Sequence, residues 1–297
     1  MKAKIIKAVI SKKHKDFLDS IEDSEIRKIF ENNAIVTGGA IVSMLLNEKV
    51  SDFDYYLTDY ESCKKVALYY VDRFNRENKG GHVATVTDGA NKQDFLDDRI
   101  KIYVQSEGVS GFLDNQEENE AIEQSGLNEL AEPEPEETTK YRPVFLSTNA
   151  ITLSNKIQIV IRFYGEPDQI HDNYDYIHCT CWWRAKDGHL ELPAKALEAI
   201  LTRELVYSGS KYPLCSIFRA RKFIKRGWTI NAGQFLKMAM QLNEMDLLDV
   251  NVLQDQLTGV DSAYFEQVIE NIRKRQEEDP SFKFDTQYLI HIINKIF

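Results

Sequence analysis

The chain has 297 residues, enough for one large domain or two ordinary ones, and its 43% of hydrophobic residues can supply a packed core. It contains no apolar run of about eighteen residues, so no membrane span is expected. The basic start of the chain also lacks the apolar region and cleavage site of a secretory signal. The formal net charge is −10.

That negative charge is concentrated in one segment. Residues 107–140 contain eleven Asp or Glu, and no Lys or Arg occurs between Lys101 and Lys140. Few large apolar side chains and one sign of charge predict a disordered, solvated insert. Two alternatives are an acidic segment that mimics nucleic acid and a regulatory segment that docks a basic partner. Deletion of the segment would test both.

The first 33 residues predict a strand over Ala3–Ile10 and then one or two helices. Apolar residues recur at helical spacing around Phe17 and again around Phe30, and Asp23 and Ser24 between them can break or cap a helix.

The stretch 35–57 carries the strongest motif. A short apolar run ends at Gly38 and Gly39, and the helical spacing that follows predicts a helix opened by Gly39. A strand then carries Asp52 and Asp54 on one face, with the aromatic Phe53 on the other. Adjacent carboxylates are the oxygen ligands that Mg²⁺ or Mn²⁺ accepts. A glycine turn beside a paired-carboxylate metal site suits nucleotidyl transfer.

The later chain alternates predicted strands and helices. Asp59 is the expected N-cap of a helix over 59–75, and strands are predicted over 82–87, 99–105, 141–153 and 156–163. Helices follow over 193–205, 212–228 and most of 231–297, and we interpret the apolar stripes of the last stretch as core. Residues 184–226 hold ten Lys or Arg against four Asp or Glu, which suits binding of a triphosphate or an RNA backbone.

The cysteines and histidines indicate no obvious metal centre. Cys63, Cys179, Cys181 and Cys215 form no CxxC pair, which indicates a reducing compartment and a cytoplasmic location. One alternative is a zinc site formed by His171, His178, Cys179 and Cys181. However, His178 and Cys179 are adjacent and a single residue separates Cys179 from Cys181, unlike the spacing of zinc ligands, so ordinary strand residues are expected.

The segment from Gly38 to Asp54 resembles the polymerase-beta-type nucleotidyltransferase superfamily. Within that superfamily it is most similar to the head domain of class II CCA-adding enzymes and bacterial poly(A) polymerases. Their pattern G-G-x-x-R-D-x-L-L-G-x-x-x-x-D-x-D aligns without a gap. The matching residues are Gly38, Gly39, Leu45, Leu46, Asp52 and Asp54, while Val42 and Ser43 replace the Arg-Asp pair and Asn47 replaces a glycine.

Further positions of the family pattern match only in part. Gln158 stands where the family has a third metal-binding carboxylate, so Asp94, Asp97 or Asp98 would have to substitute, or two carboxylates would have to suffice, or the domain would be inactive. Asp175 aligns with the aspartate of the R-R-D-F-T-x-x-A segment, but Asn173 and Tyr174 replace its arginines. The family's arginine helix aligns with 212–228 in two registers. Its candidate nucleotide contacts here are Arg219, Arg221 and Lys222.

The resemblance implies an α+β fold, with a nucleotidyltransferase-like mixed sheet and flanking helices over 1–183 and a helical domain over 184–297. It implies a metal-dependent transfer of a nucleotide from an NTP to an RNA 3′ end, tRNA first. Asp52 and Asp54 would be the catalytic metal ligands, and Gly38, Gly39, Ser43 and Asp175 would bind the nucleotide. The alternative is an inactive protein of this fold with a nucleotide-binding, RNA-binding or structural role. The pattern also resembles nucleotidyltransferase-like proteins encoded by bacteriophages, for which the compartment would be the host cytoplasm.

Overall fold

A computed structural model describes residues 1–77, 83–87, 100–105, 140–257, 263–279, 282 and 284–296. Residues 107–139 of the predicted acidic insert lie outside these ranges, as do Asp94, Asp97 and Asp98. The chain forms two compact units, the first ending at Thr202 and the second beginning at Arg203. Compared with the predicted division after Trp183, this boundary keeps the last strands of the sheet in the first unit.

The first unit begins with two helices, α1 (Ala3–Asp19) and α2 (Ser24–Asn33). The strand predicted over Ala3–Ile10 is therefore wrong. The side chains that α1 buries are spaced by three or four residues, which is the period of a helix and not of a strand; they are Ile6, Ile10, His14 and Phe17. The boundary predicted at Asp23 is confirmed, since its carboxylate accepts hydrogen bonds from the amides of Glu25 (2.7 Å) and Ile26 (3.1 Å).

Nine strands lie in the described residues. They are β1 (Ala34–Thr37), β2 (Phe53–Leu57), β3 (Val83–Thr87), β4 (Lys101–Gln105), β5 (Pro143–Leu146), β6 (Ala150–Leu153), β7 (Ile157–Tyr164), β8 (Trp182–Arg184) and β9 (Leu190–Glu191). Seven form one sheet in the order β5-β6-β7-β2-β1-β8-β9, and β3 and β4 form a separate antiparallel pair. Within the sheet β2 and β7 are parallel and the other neighbours are antiparallel. The prediction of a mixed sheet is thus confirmed, although the strand predicted over 141–153 is a hairpin of β5 and β6.

Further helices lie in the described residues of this unit. They are α3 (Gly39–Leu46), α4 (Tyr60–Glu77), α5 (Pro167–His171) and α6 (Ala194–Thr202), with a short 3₁₀ helix at Ile177–Cys179. Gly39 opens α3 as predicted. Asp59 precedes α4, and its carboxylate accepts a hydrogen bond from the Ser62 amide at 2.8 Å, which confirms the predicted cap.

The two faces of the sheet differ. On one face Tyr55 is fully buried against Phe17 of α1 and Phe30 of α2, with ring centroids 5.4 and 6.2 Å from its own. On the opposite face Tyr56 packs with Ile35 of β1 and Ile170 of α5. Because side chains alternate along a strand, Asp54 lies on the same face as Tyr56.

The second unit is built from helices in its described residues. They are α7 (Pro213–Lys225), α8 (Ala232–Asn243), α9 (Val250–Leu257), α10 (Ala263–Glu278) and α11 (Thr286–Ile296). Leu253, Ile272 and Phe284 belong to its buried core, against which Leu214 and Phe218 of α7 pack. None of the described helices combines the length and the apolar character that a membrane crossing requires.

Candidate functional site

The candidate site begins where β1 turns into α3. Gly38 has φ +91°, a left-handed conformation that strongly favours glycine, and its amide donates to the carbonyl oxygen of Cys179 at 3.2 Å. Gly39 then starts the helix, and Gly38, at the cap position, has no side chain that could bond its first turn. The first amides of a helix have no partner within the helix, and the helix dipole is positive there. This end of α3 therefore suits an anion such as a phosphate.

Asp54 lies directly beside Gly38. Its Oδ2 atom would be 3.0 Å from a β-carbon built on Gly38. The strand register explains this proximity, since Asp54 pairs with Thr37, the residue before Gly38, across β1 and β2. The site thus places a carboxylate beside the glycine that precedes the N-terminus of α3.

Asp52 and Gln158 complete the oxygen donors of this region. Asp52 is half-buried and stands immediately before β2, two residues from Asp54. Gln158 pairs with Asp54 in the parallel register of β2 and β7. It lies two residues before Val160, whose side chain packs on the Tyr56 face, so Gln158 is on the Asp54 side of the sheet.

These donors fit a magnesium ion that a nucleotide helps to bind. Mg²⁺ in nucleotide sites is usually held by one or two carboxylates together with phosphate oxygens. Two carboxylates and one amide oxygen, all hard donors, match that requirement. Among the described residues no group of three or more His, Cys, Asp or Glu gathers as a metal site. The ion would therefore need the phosphates for its remaining ligands.

Tyr174 occupies the space next to Gly38 and Asp54. Its hydroxyl oxygen would be 3.6 Å from the same Gly38 β-carbon, and its ring centroid lies 6.1 Å from that of Tyr56. Burial of the hydroxyl raises the pKa of Tyr174 well above its usual value, and the neighbouring Tyr56 and Asp54 act in the same direction. The phenol is therefore protonated at physiological pH, and its side chain is hydrogen-bonded to that of Tyr56, so donation to a bound anion would redirect its single hydroxyl proton.

A threonine and a histidine support this corner of the site. The Thr37 hydroxyl lies 2.9 Å from Nε2 of His171, 2.9 Å from the carbonyl oxygen of Cys181 and 3.3 Å from that of Cys179. Carbonyl oxygens only accept, so the single hydroxyl proton goes to one of them. We therefore assign the Nε2–H tautomer to His171, which donates to Thr37. Burial lowers the pKa of His171 to about 4, so the ring is neutral.

The other residues predicted to contact the nucleotide differ in how far they are buried. Ser43 on α3 and Asp175 after Tyr174 are both buried, with 5% and 8% of their surface exposed. Arg219, Arg221 and Lys222 lie on α7 in the second unit. Arg219 is half-buried, while Arg221 and Lys222 are exposed.

Sequence reasoning did not identify Thr37, His171 or Tyr174 as site residues. Tyr174 could have been found, because it replaces an arginine of the aligned segment and a phenol can also donate to a phosphate. Thr37 and His171 are 134 positions apart, and no local pattern connects them.

Comparisons with known proteins give one family. A family model described as "Gabija anti-defense 2 family protein" matches residues 8–203. The chain is also 18% identical, over 281 residues, to the curated protein "Gabija anti-defense 2" of Bacillus phage SPbetaL7. That alignment includes 92% of this chain and 54% of the relative, so the chain spans about half the length of the curated relative it matches. The phage origin of this relative agrees with the expected resemblance to bacteriophage proteins, while the resemblance to nucleotidyltransferases stays a prediction.

Proposed function

The chain belongs to the Gabija anti-defense 2 family, and on this premise we propose that it acts against the Gabija defence through a metal-dependent nucleotidyltransferase site. The observation that carries the proposal is the 3.0 Å approach of the Asp54 carboxylate to the β-carbon position of Gly38, at the N-terminus of α3. The motif from Gly38 to Asp54 supports the same chemistry through its resemblance to polymerase-beta-type enzymes.

Each group of the site would contact a different part of a bound NTP. The amides at the start of α3, directly after Gly38, would donate hydrogen bonds to the triphosphate. The Tyr174 hydroxyl would donate to a phosphate oxygen. The contacts of Thr37 with His171 and with the carbonyl oxygens of Cys179 and Cys181 would hold the end of β1 in place. Asp52 and Asp54 would hold Mg²⁺ or Mn²⁺, which when bound neutralises the phosphates and stabilises charge developing at the α-phosphorus.

The reaction would join the nucleotide to a hydroxyl. The acceptor oxygen forms a bond to the α-phosphorus, the bond between that phosphorus and the bridging oxygen breaks, and pyrophosphate leaves while the hydroxyl proton passes to solvent. The acceptor that we propose first is an RNA 3′ end, such as that of tRNA. The exposed basic residues of α7 suit contact with an RNA backbone.

Gln158 favours a second candidate function, nucleotide binding without transfer. It pairs with Asp54 at the position where the resembling family has a third carboxylate. An amide oxygen carries no formal charge, so it would hold a divalent ion less tightly than a carboxylate. In this case the protein would sequester or sense a nucleotide during the anti-defence action.

Transfer is tested with the purified chain, each α-labelled NTP, Mg²⁺ or Mn²⁺, and total tRNA. Asp54→Asn is the informative variant because it keeps the shape of the side chain beside Gly38. Asp72→Asn, at an exposed carboxylate on α4 whose side chain is 70% accessible, is the matched control. We expect label on RNA with the wild type and with Asp72→Asn, but not with Asp54→Asn.

Two results would redirect the proposal. NTP binding without any incorporation would favour the second candidate. Neither binding nor incorporation would overturn both. The same variants, expressed in cells that carry the Gabija defence during phage infection, then show whether protection of the phage depends on Asp54.

A further inference from the structure

One row of the sheet connects the candidate site to a tryptophan. Asp54 of β2 pairs with Thr37 of β1, and Thr37 pairs in turn with Trp182 of β8. Directly paired residues have their side chains on the same face of a sheet, and Trp182 packs on the buried cluster that contains Tyr56. Neighbouring strands are about 4.8 Å apart, so Trp182 and Asp54, two strands apart, are separated by about 10 Å on one face.

Trp182 differs from the other two tryptophans of the chain in its exposure. Trp183 points to the opposite face of the sheet, where its ring meets His14 edge-on at 5.2 Å. Trp183 and Trp228 are 2% and 3% exposed, whereas Trp182 is only half-buried. Part of a large aromatic surface is therefore open to a ligand on the Asp54 face.

The charges next to this ring do not favour a phosphate there. Residues 182–191 contain as many cations as carboxylates: Arg184, Lys186, Asp187 and Glu191. The Arg184 guanidinium lies 5.6 Å from the centroid of the Trp182 ring, but it is bound by Asp187 at 2.7 Å and approached by Glu166 at 3.9 Å. A neutral group of a ligand fits these surroundings better than a triphosphate.

Polar side chains border the same ring. The His189 ring centroid lies 5.3 Å from that of Trp182, and His189 Nε2 is 3.1 Å from Oε2 of Glu191. Both side chains are 48% exposed. An aromatic surface with hydrogen-bonding groups beside it is the arrangement that proteins use to bind unpaired nucleobases.

We propose that Trp182 stacks on the base of the nucleotide whose phosphates bind at the start of α3. The inference rests on the proposed function, because it assumes a triphosphate beside Gly38 and Asp54. The separation of about 10 Å along the row is comparable with the distance between the α-phosphate and the base of an extended nucleotide. The phosphates would thus lie over β2, and the base would lie over β8.

Two probes separate the base from the phosphates: ATP, and inorganic tripolyphosphate, which has no base. Binding of each to the full chain is measured by calorimetry in the presence of Mg²⁺. Trp182→Leu should raise the Kd for ATP by about tenfold, the usual effect of removing one stacked aromatic ring. It should leave the Kd for tripolyphosphate unchanged. Trp182→Phe keeps a smaller ring and should lose less affinity for ATP than Trp182→Leu.

Tyr164→Leu is the matched control. Tyr164 is a 38% exposed aromatic residue that pairs with Leu57, at the end of β2 away from Asp54. This variant should bind both probes like the wild type. Circular dichroism with thermal melting verifies that the variants fold, and Trp182→Phe retains an aromatic ring in the packing if leucine weakens it.

Tryptophan fluorescence reports the stacking directly. ATP should quench the emission of the wild type, and tripolyphosphate should not. The quenching by ATP should disappear in Trp182→Phe, because the two remaining tryptophans are buried.

Three results would overturn the proposal, and they have different meanings. Tight binding of both probes with an ATP affinity that Trp182→Leu does not change would exclude the stacking and leave the triphosphate site intact. Equal losses for ATP and tripolyphosphate in Trp182→Leu would show that Trp182 supports the structure of the site and does not contact the base. Failure of the wild type to bind either probe would refute the triphosphate site itself, and the stacking with it.

Discussion

The Asp54 carboxylate and Gly38 are so close that a side chain on Gly38 would meet it, with Oδ2 of Asp54 3.0 Å from the β-carbon position. Gly38 also has φ +91°. Glycine is therefore required twice at this position, for its backbone angles and for the space it leaves between Asp54 and the start of α3. Both requirements belong to the site and not to the core.

Gly38→Ala should impair both stability and nucleotide binding. The left-handed backbone alone costs a non-glycine residue about 1–2 kcal/mol, and the new methyl group would displace the Asp54 carboxylate. We expect a free energy of unfolding lower by at least about 1 kcal/mol, measured by urea denaturation, together with weaker NTP binding.

Gly39→Ala is the control for stability. Gly39 has no positive φ, and no atom lies within 4 Å of a β-carbon placed there. Alanine in this first helical position should leave the stability unchanged or raise it by up to about 1 kcal/mol. Equal losses in both variants would contradict the special role of Gly38.

Gln158→Glu should convert the site into one with three carboxylates. The added charge lies beside Asp54 in the β2–β7 register, so it should repel the existing carboxylates when no metal is present. We expect a lower melting temperature without divalent ions and a larger rise on adding Mg²⁺ than in the wild type. Mg²⁺ affinity in the presence of NTP should increase on the order of tenfold.

The control for this variant is Gln287→Glu, which makes the same charge change at an exposed position of α11. It should show no Mg²⁺-dependent shift. If Gln158→Glu gains incorporation of nucleotide where the wild type has none, the loss of the third carboxylate explains an inactive wild type. If neither stability nor Mg²⁺ affinity responds to Gln158→Glu, the proposed metal site of Asp52, Asp54 and Gln158 is incorrect.

Tyr174→Phe should weaken nucleotide binding while preserving the fold. The substitution removes only the hydroxyl, which lies near Gly38 and Asp54, is hydrogen-bonded to the Tyr56 side chain, and is protonated because burial raises its pKa. Loss of one hydrogen bond to a phosphate costs about 1–1.5 kcal/mol, which is roughly a tenfold increase in the Kd or KM for NTP. The kcat should change less than the KM, because the hydroxyl contacts the bound nucleotide before and during the reaction.

Tyr164→Phe, at a tyrosine that is 38% exposed, provides the comparison. It should bind NTP like the wild type. An unchanged affinity in Tyr174→Phe would remove this residue from the site, whatever the outcome for Asp54.

Local signals in the sequence were sufficient for several elements. The Gly38–Gly39 pair predicted the start of α3, and Asp23 and Asp59 predicted the starts of α2 and α4, because capping depends on neighbours within three residues. The period-two pattern located several strands, while the mixed sheet was an expectation from the family resemblance. These features need no information from distant parts of the chain.

Other features depended on tertiary contacts. The start of the chain contains apolar residues at both strand and helix spacing. Only the burial of Ile6, Ile10 and Phe17 in the folded protein shows that it forms the helix α1. Thr37 and His171 meet across 134 positions through β1 and α5.

The apolar pattern of α8 predicted core, and this prediction is wrong for part of the helix. Phe235 is 43% exposed and Met240 is 62% exposed, while Met238 is buried. The error arises because periodicity does not reveal which side of a helix faces the protein.

The free energy of unfolding should fall as the pH is lowered from 6.5 to about 4, because buried His14 stays neutral in the folded chain over this range. Its side chain stacks on Tyr55 and meets Trp183 edge-on, and neither ring nitrogen has a hydrogen-bond partner among the described residues. Burial lowers the pKa of His14 to about 4 from 6.5. The unfolded chain therefore binds a proton below pH 6.5 that the folded chain binds only near pH 4, so acid favours unfolding across this window.

The expected loss from His14 is about 3 kcal/mol between pH 7 and pH 4, because each unit of pKa difference corresponds to about 1.4 kcal/mol. His14→Phe keeps the aromatic contacts and removes the titrating group. At pH 7 the variant should be as stable as the wild type or more so, since no buried nitrogen is left without a partner. Urea denaturation of both proteins at pH 7, 5.5 and 4 isolates the effect, because every other titrating group is common to both. Parallel stability curves would show that His14 is protonated in the folded chain, in contradiction to its buried neutral state.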